Sequence, residues 1–457
     1  MNLASYDLFH ILAAIASLLA VAHAGGLVAI KFRLPPMVGE LVGGLLIGAT
    51  VFARVLPDAF GWLFPVVGAD GVVPPVLPVL GFCSQLGLLL LMFIGGLQMR
   101  RLVTRTDVRA VSWIAGLGVC IPVFAGLVII QLADFADYLG PARSLPALHI
   151  ILITALAVTS IPVITRIFMD LGLMETRLAR IVLSVAVIED VLLYIAVSLA
   201  VGMASADAKA DASIPVHLDM DPNGLPYILW HIGASILLLG VASSGVRAIS
   251  GHRKERSRFN LVLRRSPLAY TLAILFVTTL IAMLLGLAPI FGALVAGIAA
   301  SNDLRPKLVV ARDQIVAFAT ATFIPLYFAL IGVSLDLIDE FDWKFTIGLL
   351  LVGTLVKYSA SLLGARLAGE PPAMAQALAI SVNARGGPGI VLATTALGAG
   401  IISANAFTGL IILALATSVF AGSWLAFMLR TNPETSDLIH GDAGGIREDH
   451  PTVRATK

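Results

Sequence analysis

The stretch VAVIEDVLLYIAVSLAV, Val185–Val201, is apolar except for Glu189 and Asp190 near its middle. An acid at the centre of a bilayer costs about 2.5–3.5 kcal/mol, so two on one apolar helix call for a use. Two basic residues, Lys357 and Arg385, lie equally deep in other apolar runs. Unpaired, the four charges would cost on the order of 10 kcal/mol together. Two of each sign can cancel as a pair of salt bridges that fix packing. Buried ion pairs are weak stabilisers, often replaceable by apolar residues, which favours a chemical role instead. Adjacent helical residues point about 100° apart. Glu189 and Asp190 therefore cannot readily share one partner. One can turn towards Lys357 and the other towards a watery site, where a carboxylate holds either a proton or a small cation. Competition for a single carboxylate would couple the two ions.

Such a site needs irregular backbone at membrane depth, and two spans supply it. LITALAVTSIPVITRIF sets Thr159 and Ser160 just before Pro162, which removes a helical donor and clashes with the preceding turn. LAISVNARGGPGIVLATTALG places Asn383, Arg385, three glycines and Pro388 together. A kinked packing helix is the plain reading of each. As a pair they sit seven spans apart, an odd offset that gives opposite membrane orientations. Interrupted helices at matching positions of inverted halves mark the substrate site of a secondary transporter, and such breaks persist only where protein or a cavity buries them. Half-helix ends would offer partial charges of both signs there.

The whole chain fits a membrane scaffold. Its 457 residues are 58% hydrophobic and 13% charged, with a mean hydropathy of +0.96. Apolar runs fall near 8–30, 35–53, 79–99, 108–132, 146–169, 178–203, 224–248, 267–285, 288–301, 313–335, 345–367, 372–398 and 404–429. The fold class expected is an all-α polytopic membrane protein of about thirteen transmembrane helices. With the N-terminus outside, twenty-four Lys and Arg residues fall on cytoplasmic segments and four (Arg54, Arg143, Lys209 and Lys344) on the outer side. This alternation predicts an outer N-terminus and a cytoplasmic C-terminus. The first run, about Leu8–Ile30, reads as a span rather than a cleaved signal. No phosphate-binding Gly-rich loop with Lys-Ser/Thr is present, so neither an enzyme nor an ATP-driven pump is expected.

Taken in order, the motifs resemble the monovalent cation:proton antiporter superfamily, and more closely its second branch of bacterial-type Na+/H+ or K+/H+ exchangers. They are LPPMVGELVGGLLIGATVF, LGLLLLMFIGGLQM, ALAVTSIPVITRIFMDLG, AVIEDVLLY, FGALVAGIAAS, FIPLYFALIGVSLDL and NARGG, within about residues 30–430. The resemblance implies the sodium/proton antiporter fold, with two crossed discontinuous helices, and an elevator motion of a core bundle against scaffold helices that pair in a homodimer. It implies scaffold in 1–103 and 266–342, core in 104–203 and 343–430, an outer loop, linker helix and basic loop in 204–265, and a polar tail in 431–457. Asp190 matches the aspartate that binds cation or proton. Glu189 matches the first residue of the acidic pair, and Lys357 the lysine that pairs with it in electrogenic members. Thr159 and Ser160 lie at the first crossing, Asn383 and Arg385 at the second. Two departures stand out: Glu189 is one methylene longer than the usual Asp, and Gly387 replaces an acid that many relatives carry beside the Arg.

The expected substrates are Na+ or K+ and protons, with no resident cofactor or metal, no nucleic acid, and the cell's inner (plasma) membrane as location. The alternative is a passive cation channel or ion-sensing protein on the same scaffold. Lesser features carry plain readings. His23 and His149 are packing residues, and Glu40 is a helix-start acid that meets the dipole. RKERSRFNLVLRR, 253–265, sets topology, with attraction to anionic lipid secondary. Cys83 and Cys120 are small core residues without a disulfide.

Overall fold

The computed structural model describes residues 5–32, 34–65, 74–98, 107–204, 213–222, 224–250, 265–301 and 305–431. Sixteen main helices are α1 Ser5–Lys31, α2 Pro36–Leu46, α3 Val76–Gln98, α4 Val108–Leu132, α5 Leu145–Ala157, α6 Ile161–Asp170, α7 Arg177–Ala204, α8 Leu225–Ser250, α9 Pro267–Leu284, α10 Pro289–Ser301, α11 Pro306–Ala321, α12 Phe323–Ser334, α13 Trp343–Leu367, α14 Pro372–Val382, α15 Gly386–Gly398 and α16 Ala404–Thr431. Every predicted apolar run holds one of these helices or a pair. Among the described residues, eight helical stretches are long and apolar enough to cross a membrane. Arg100, Arg101 and Arg105, nearly all of the basic stretch 253–265, much of the outer loop and the tail beyond 431 lie outside the described residues.

Helix–helix contacts sort the helices into two packing groups. In the first, α1 and α2 pack on each other and on α12, α3 packs on α10 and α12, and α9 packs on α10 and α11. In the second, α13 packs on α4, α5, α14 and α16, while α7 meets α4, α5, α6, α14 and α15. Helix α8 touches α10 of the first group and α7 of the second. Glycines let backbones close in within the first group. A Cβ on Gly44 of α2 would lie 1.9 Å from the Ala329 carbonyl oxygen of α12, so only a missing side chain allows that approach.

Both predicted interruptions are real breaks. The chain is extended at Val158 and Ser160 between α5 and α6, and leaves helical bonding at 383–385 between α14 and α15. The two broken pairs run antiparallel. At one end, a β-bridge joins Leu139 before α5 to Ile402 after α15, with Gly140 N–H donating to Ile401 O at 3.0 Å. At the other end, Arg177 after α6 grips Glu370 before α14 with two bonds of 2.7 Å.

Three expectations change. Glu40 is not a helix-start acid: α2 begins at Pro36 and carries no acid in its first turn, where the dipole effect is concentrated. Its carboxylate leans towards α1, with Oε1 3.7 Å from where a Cβ on Gly26 would sit. The run placed at 313–335 begins at Pro306 and breaks at Thr322, with φ −130° and ψ −76°. Its early turns carry Lys307, Arg312 and Asp313, which mask the helix in a hydropathy reading. Both cysteines are free, but Cys120 is exposed on α4 rather than in the core.

Candidate ion site at the helix crossing

Helices α5–α6 and α14–α15 meet at their breaks. Ser160 N–H donates to Ala384 O at 2.7 Å, and the Thr159 hydroxyl donates to Val382 O. The Ser160 hydroxyl accepts from Val163 N–H at 3.4 Å and caps α6. On the other strand of the crossing, Gly386 adopts φ +29°, a conformation that suits glycine. A Cβ there would sit 2.2 Å from Val163 Cγ2, so the same glycine also lets α15 start against α6. Its N–H donates to the Ser418 hydroxyl at 3.0 Å.

Glu189 and Asp190 point to different surroundings, as their spacing predicts. The Lys357 ammonium, fully buried, donates to Glu189 Oε1 at 2.6 Å. Its other bonds go to Gly118 O at 3.0 Å and to Ala157 O, the last carbonyl of α5. Three donors thus meet three acceptors, one of them a carboxylate. Gly118 makes the room, since a Cβ on it would lie 3.0 Å from Glu189 Oε1. The extra methylene of Glu189, compared with the usual Asp, is taken up by this reach to α13.

Asp190 is 4% exposed, and its Oδ1 is buried with no hydrogen-bond partner. No bond joins it to Lys357, Arg385, Thr159, Ser160 or Asn383 among the described residues. A buried carboxylate left open in this way is costly unless a proton or cation completes it.

Arg385 resolves the question raised by Gly387. It is 1% exposed, yet among the described residues its hydrogen bonds all go to neutral oxygens and none to a carboxylate. Nε donates to Ala155 O at 3.0 Å, Nη2 to Leu156 O at 3.1 Å and Gly353 O at 2.6 Å, and Nη1 to Asn383 Oδ1 at 2.8 Å and Asn383 O at 3.3 Å. Five acceptors match the guanidinium fork. Three of the carbonyls met by Arg385 and Lys357, those of Ala155, Leu156 and Ala157, close the final turn of α5. That turn carries orphan carbonyls and partial negative charge. Both buried cations therefore seat on the negative end of one half-helix. Sequence reasoning sought a carboxylate for Arg385 and missed this, although a predicted break after a helix already implied free carbonyls.

Asn383 and Ser160 spend their side chains on the scaffold of the crossing, since Asn383 Nδ2 also donates to Thr354 O at 3.4 Å. Among the described residues no group of three His, Cys, Asp or Glu side chains could hold a metal ion. His23 contacts Ala321 O at 3.0 Å through Nε2, at the break between α11 and α12, in keeping with a packing role. At the β-bridge end, the Tyr138 hydroxyl donates to Asp342 at 2.7 Å. Burial, and then the neighbouring carboxylate, push the Tyr138 hydroxyl up to about 12.

The family model described as sodium/hydrogen exchanger, transmembrane, matches residues 15–431. The Na(+)/H(+)-K(+) antiporter GerN of Bacillus cereus is 26% identical over 419 residues, 90% of this chain and 95% of that protein. The Na(+)/H(+) antiporter NhaS4 of Synechocystis is 22% identical, covering 90% and 94%. The K(+)/H(+) antiporter 1 of Saccharomyces cerevisiae is 26% identical over 84% of this chain, which spans 42% of the yeast protein's length. The solved sodium proton antiporter MjNhaP1 of Methanocaldococcus jannaschii superposes with a TM-score of 0.62 at 15% identity, covering 92% of this chain and 98% of that one. The chain is a multi-pass membrane protein that belongs to the sodium/hydrogen exchanger family.

Proposed function

We propose that the protein is a secondary-active antiporter, a transporter and not an enzyme, that exchanges Na+ or K+ for protons. The observation that carries this reading is Asp190: a buried carboxylate without a partner, beside two crossed half-helices, while its neighbour Glu189 is bound to Lys357. Asp190 holds the cation or the proton in turn. Thr159 and Ser160 supply backbone or hydroxyl oxygens at the same crossing. Glu189 and Lys357 form a charge pair whose changes set the charge moved per cycle, which makes the exchange electrogenic.

The packing groups support a division of labour. The first group, residues 1–103 and 266–342, is the scaffold and the homodimer face. The second, 104–203 and 343–430, is the core that moves by an elevator motion, with α8 linking the two. Thirteen crossings place the β-bridge end outside and the Arg177 end in the cytoplasm, in the inner membrane of the cell. The positive charge pattern of the sequence supports that orientation.

Reconstituted protein tests this directly. Cation-induced proton release from acid-loaded vesicles should vanish in Asp190→Asn. Exchange at the wild-type rate would overturn the assignment, and currents far above exchanger turnover without proton movement would favour a channel.

A further inference from the structure

The two packing groups touch unequally at the two ends of the molecule. Towards the β-bridge end they are joined by hydrogen bonds. The Tyr327 hydroxyl of α12 lies 2.9 Å from Thr394 Oγ1 of α15. The direction follows from the local geometry. Thr394 already donates within its own helix to Ile390 O at 3.0 Å or Val391 O at 3.1 Å, so Tyr327 is the donor. Tyr327 is 2% exposed and packs its stem against Gly87 of α3, where a Cβ would lie 3.0 Å from Tyr327 Cβ. Thr394 lies about 12 Å along α15 from Gly386. Nearby, Ala288 N–H of the turn before α10 donates to the buried Ser198 hydroxyl of α7 at 3.0 Å.

Towards the Arg177 end the same two groups part. A cavity of about 410 Å³ opens between Pro35 and Phe32 of the first group and Ile167, Gly422 and Ser423 of the second. It reaches Ser418, the residue that holds Gly386 N–H at the head of α15. Along the seam between the two groups, the β-bridge side is joined by hydrogen bonds and the Arg177 side is opened by a cavity; a second cavity at the β-bridge end, of about 310 Å³, lies within the second group, between α4, α5 and α13.

We propose that Tyr327 is the outer latch of the transport cycle. The structure is the inward-open state, and the Tyr327–Thr394 bond must break each time the core turns outward. Tyr327 is a positioning residue: it meets no ion, but it sets the balance between the two faces. This rests on the antiport reading and its orientation.

The test uses the full chain with Cys83 and Cys120 replaced by Ser, and Ser423→Cys in the inner cavity as reporter. A membrane-impermeant thiol reagent is applied from the cytoplasmic side of inverted vesicles. Tyr327→Phe, which keeps the ring and removes only the hydroxyl, should slow labelling twofold or more. Thr394→Val should do the same, and the double variant should slow it no further. Labelling equal to the parent in both single variants would overturn the latch, as would a double variant whose slowing is the product of the singles. Labelling needs no turnover, so these outcomes stand apart from the Asp190→Asn flux assay. Loss of the antiport reading in that assay would leave the labelling result interpretable on its own terms.

Discussion

Replacing Lys357 by Met removes the ammonium and keeps the length of the stem. The side chain is fully buried and donates to Glu189, Gly118 O and Ala157 O. Its loss strands one buried carboxylate and two carbonyls. Breaking a buried ion pair from one side costs about 3–5 kcal/mol, on the order of ten degrees in melting temperature for a domain-sized cooperative unit. The charge accounts for most of that, so removing it as well should restore stability. Glu189→Leu combined with Lys357→Met exchanges the pair for apolar groups, a change that is often neutral. The expected pattern is two destabilised single variants and a double variant within about 1 kcal/mol of wild type, a coupling of several kcal/mol in a double-mutant cycle. Thermal melts of the purified protein in detergent, read by tryptophan fluorescence, measure all four corners. Additive losses, or a Lys357→Met melt within a degree of wild type, would refute the claim that Lys357 is held chiefly by Glu189.

Three further outcomes follow from the crossing and its rim. Gly118→Ala sets a Cβ 3.0 Å from Glu189 Oε1; it should cost about 1–3 kcal/mol by overpacking, seen as a lower melting temperature, and the loss should shrink when Glu189→Leu frees the space. Gly386→Ala meets both a positive φ and Val163 Cγ2 at 2.2 Å, so it should destabilise by more than 1 kcal/mol, whereas Gly398→Ala, with nothing within 4 Å, should melt near wild type. The Asp342 carboxylate is held below its ordinary value of 3.8 by the Tyr138 hydroxyl and the N–H groups of Phe345 and Lys344. A depressed carboxylate stabilises above its unfolded value and loses that contribution as pH falls. Tyr138→Phe should therefore be less stable than wild type above pH 3.8, with the two melting curves converging in more acid solution.

Much of the architecture was legible because membrane helices must satisfy their own backbone, which leaves hydropathy and breakers as clear signals. Pro162 and the NARGGPG run marked both breaks within a few residues. The divergence of Glu189 and Asp190 followed from helical spacing alone. The partner of Arg385 did not, because five acceptors came from Ala155, Leu156, Gly353 and Asn383, which are distant in sequence or carry no side-chain signal. The break at Thr322 was missed although Pro325 signals it, since a proline removes the bond to the carbonyl four residues back, that of Ala321; there the Thr322 hydroxyl turns back on Phe318 O at 2.6 Å. Gly118 gave no sign of its role either, since only the packed structure reveals that its missing side chain admits Glu189, Lys357 and Ser361. Glu40 misled for a simpler reason: the helix starts earlier than the polar residue suggested.

The antiparallel broken pairs are tied at three levels: the Leu139–Ile402 bridge, the Ser160–Ala384 bond and the Arg177–Glu370 grip. A unit fastened at both ends and in the middle resists separate movement of its two halves, so the geometry at its breaks is preserved. On the proposed exchange, the oxygens around the crossing would keep their spacing whichever compartment the cation came from.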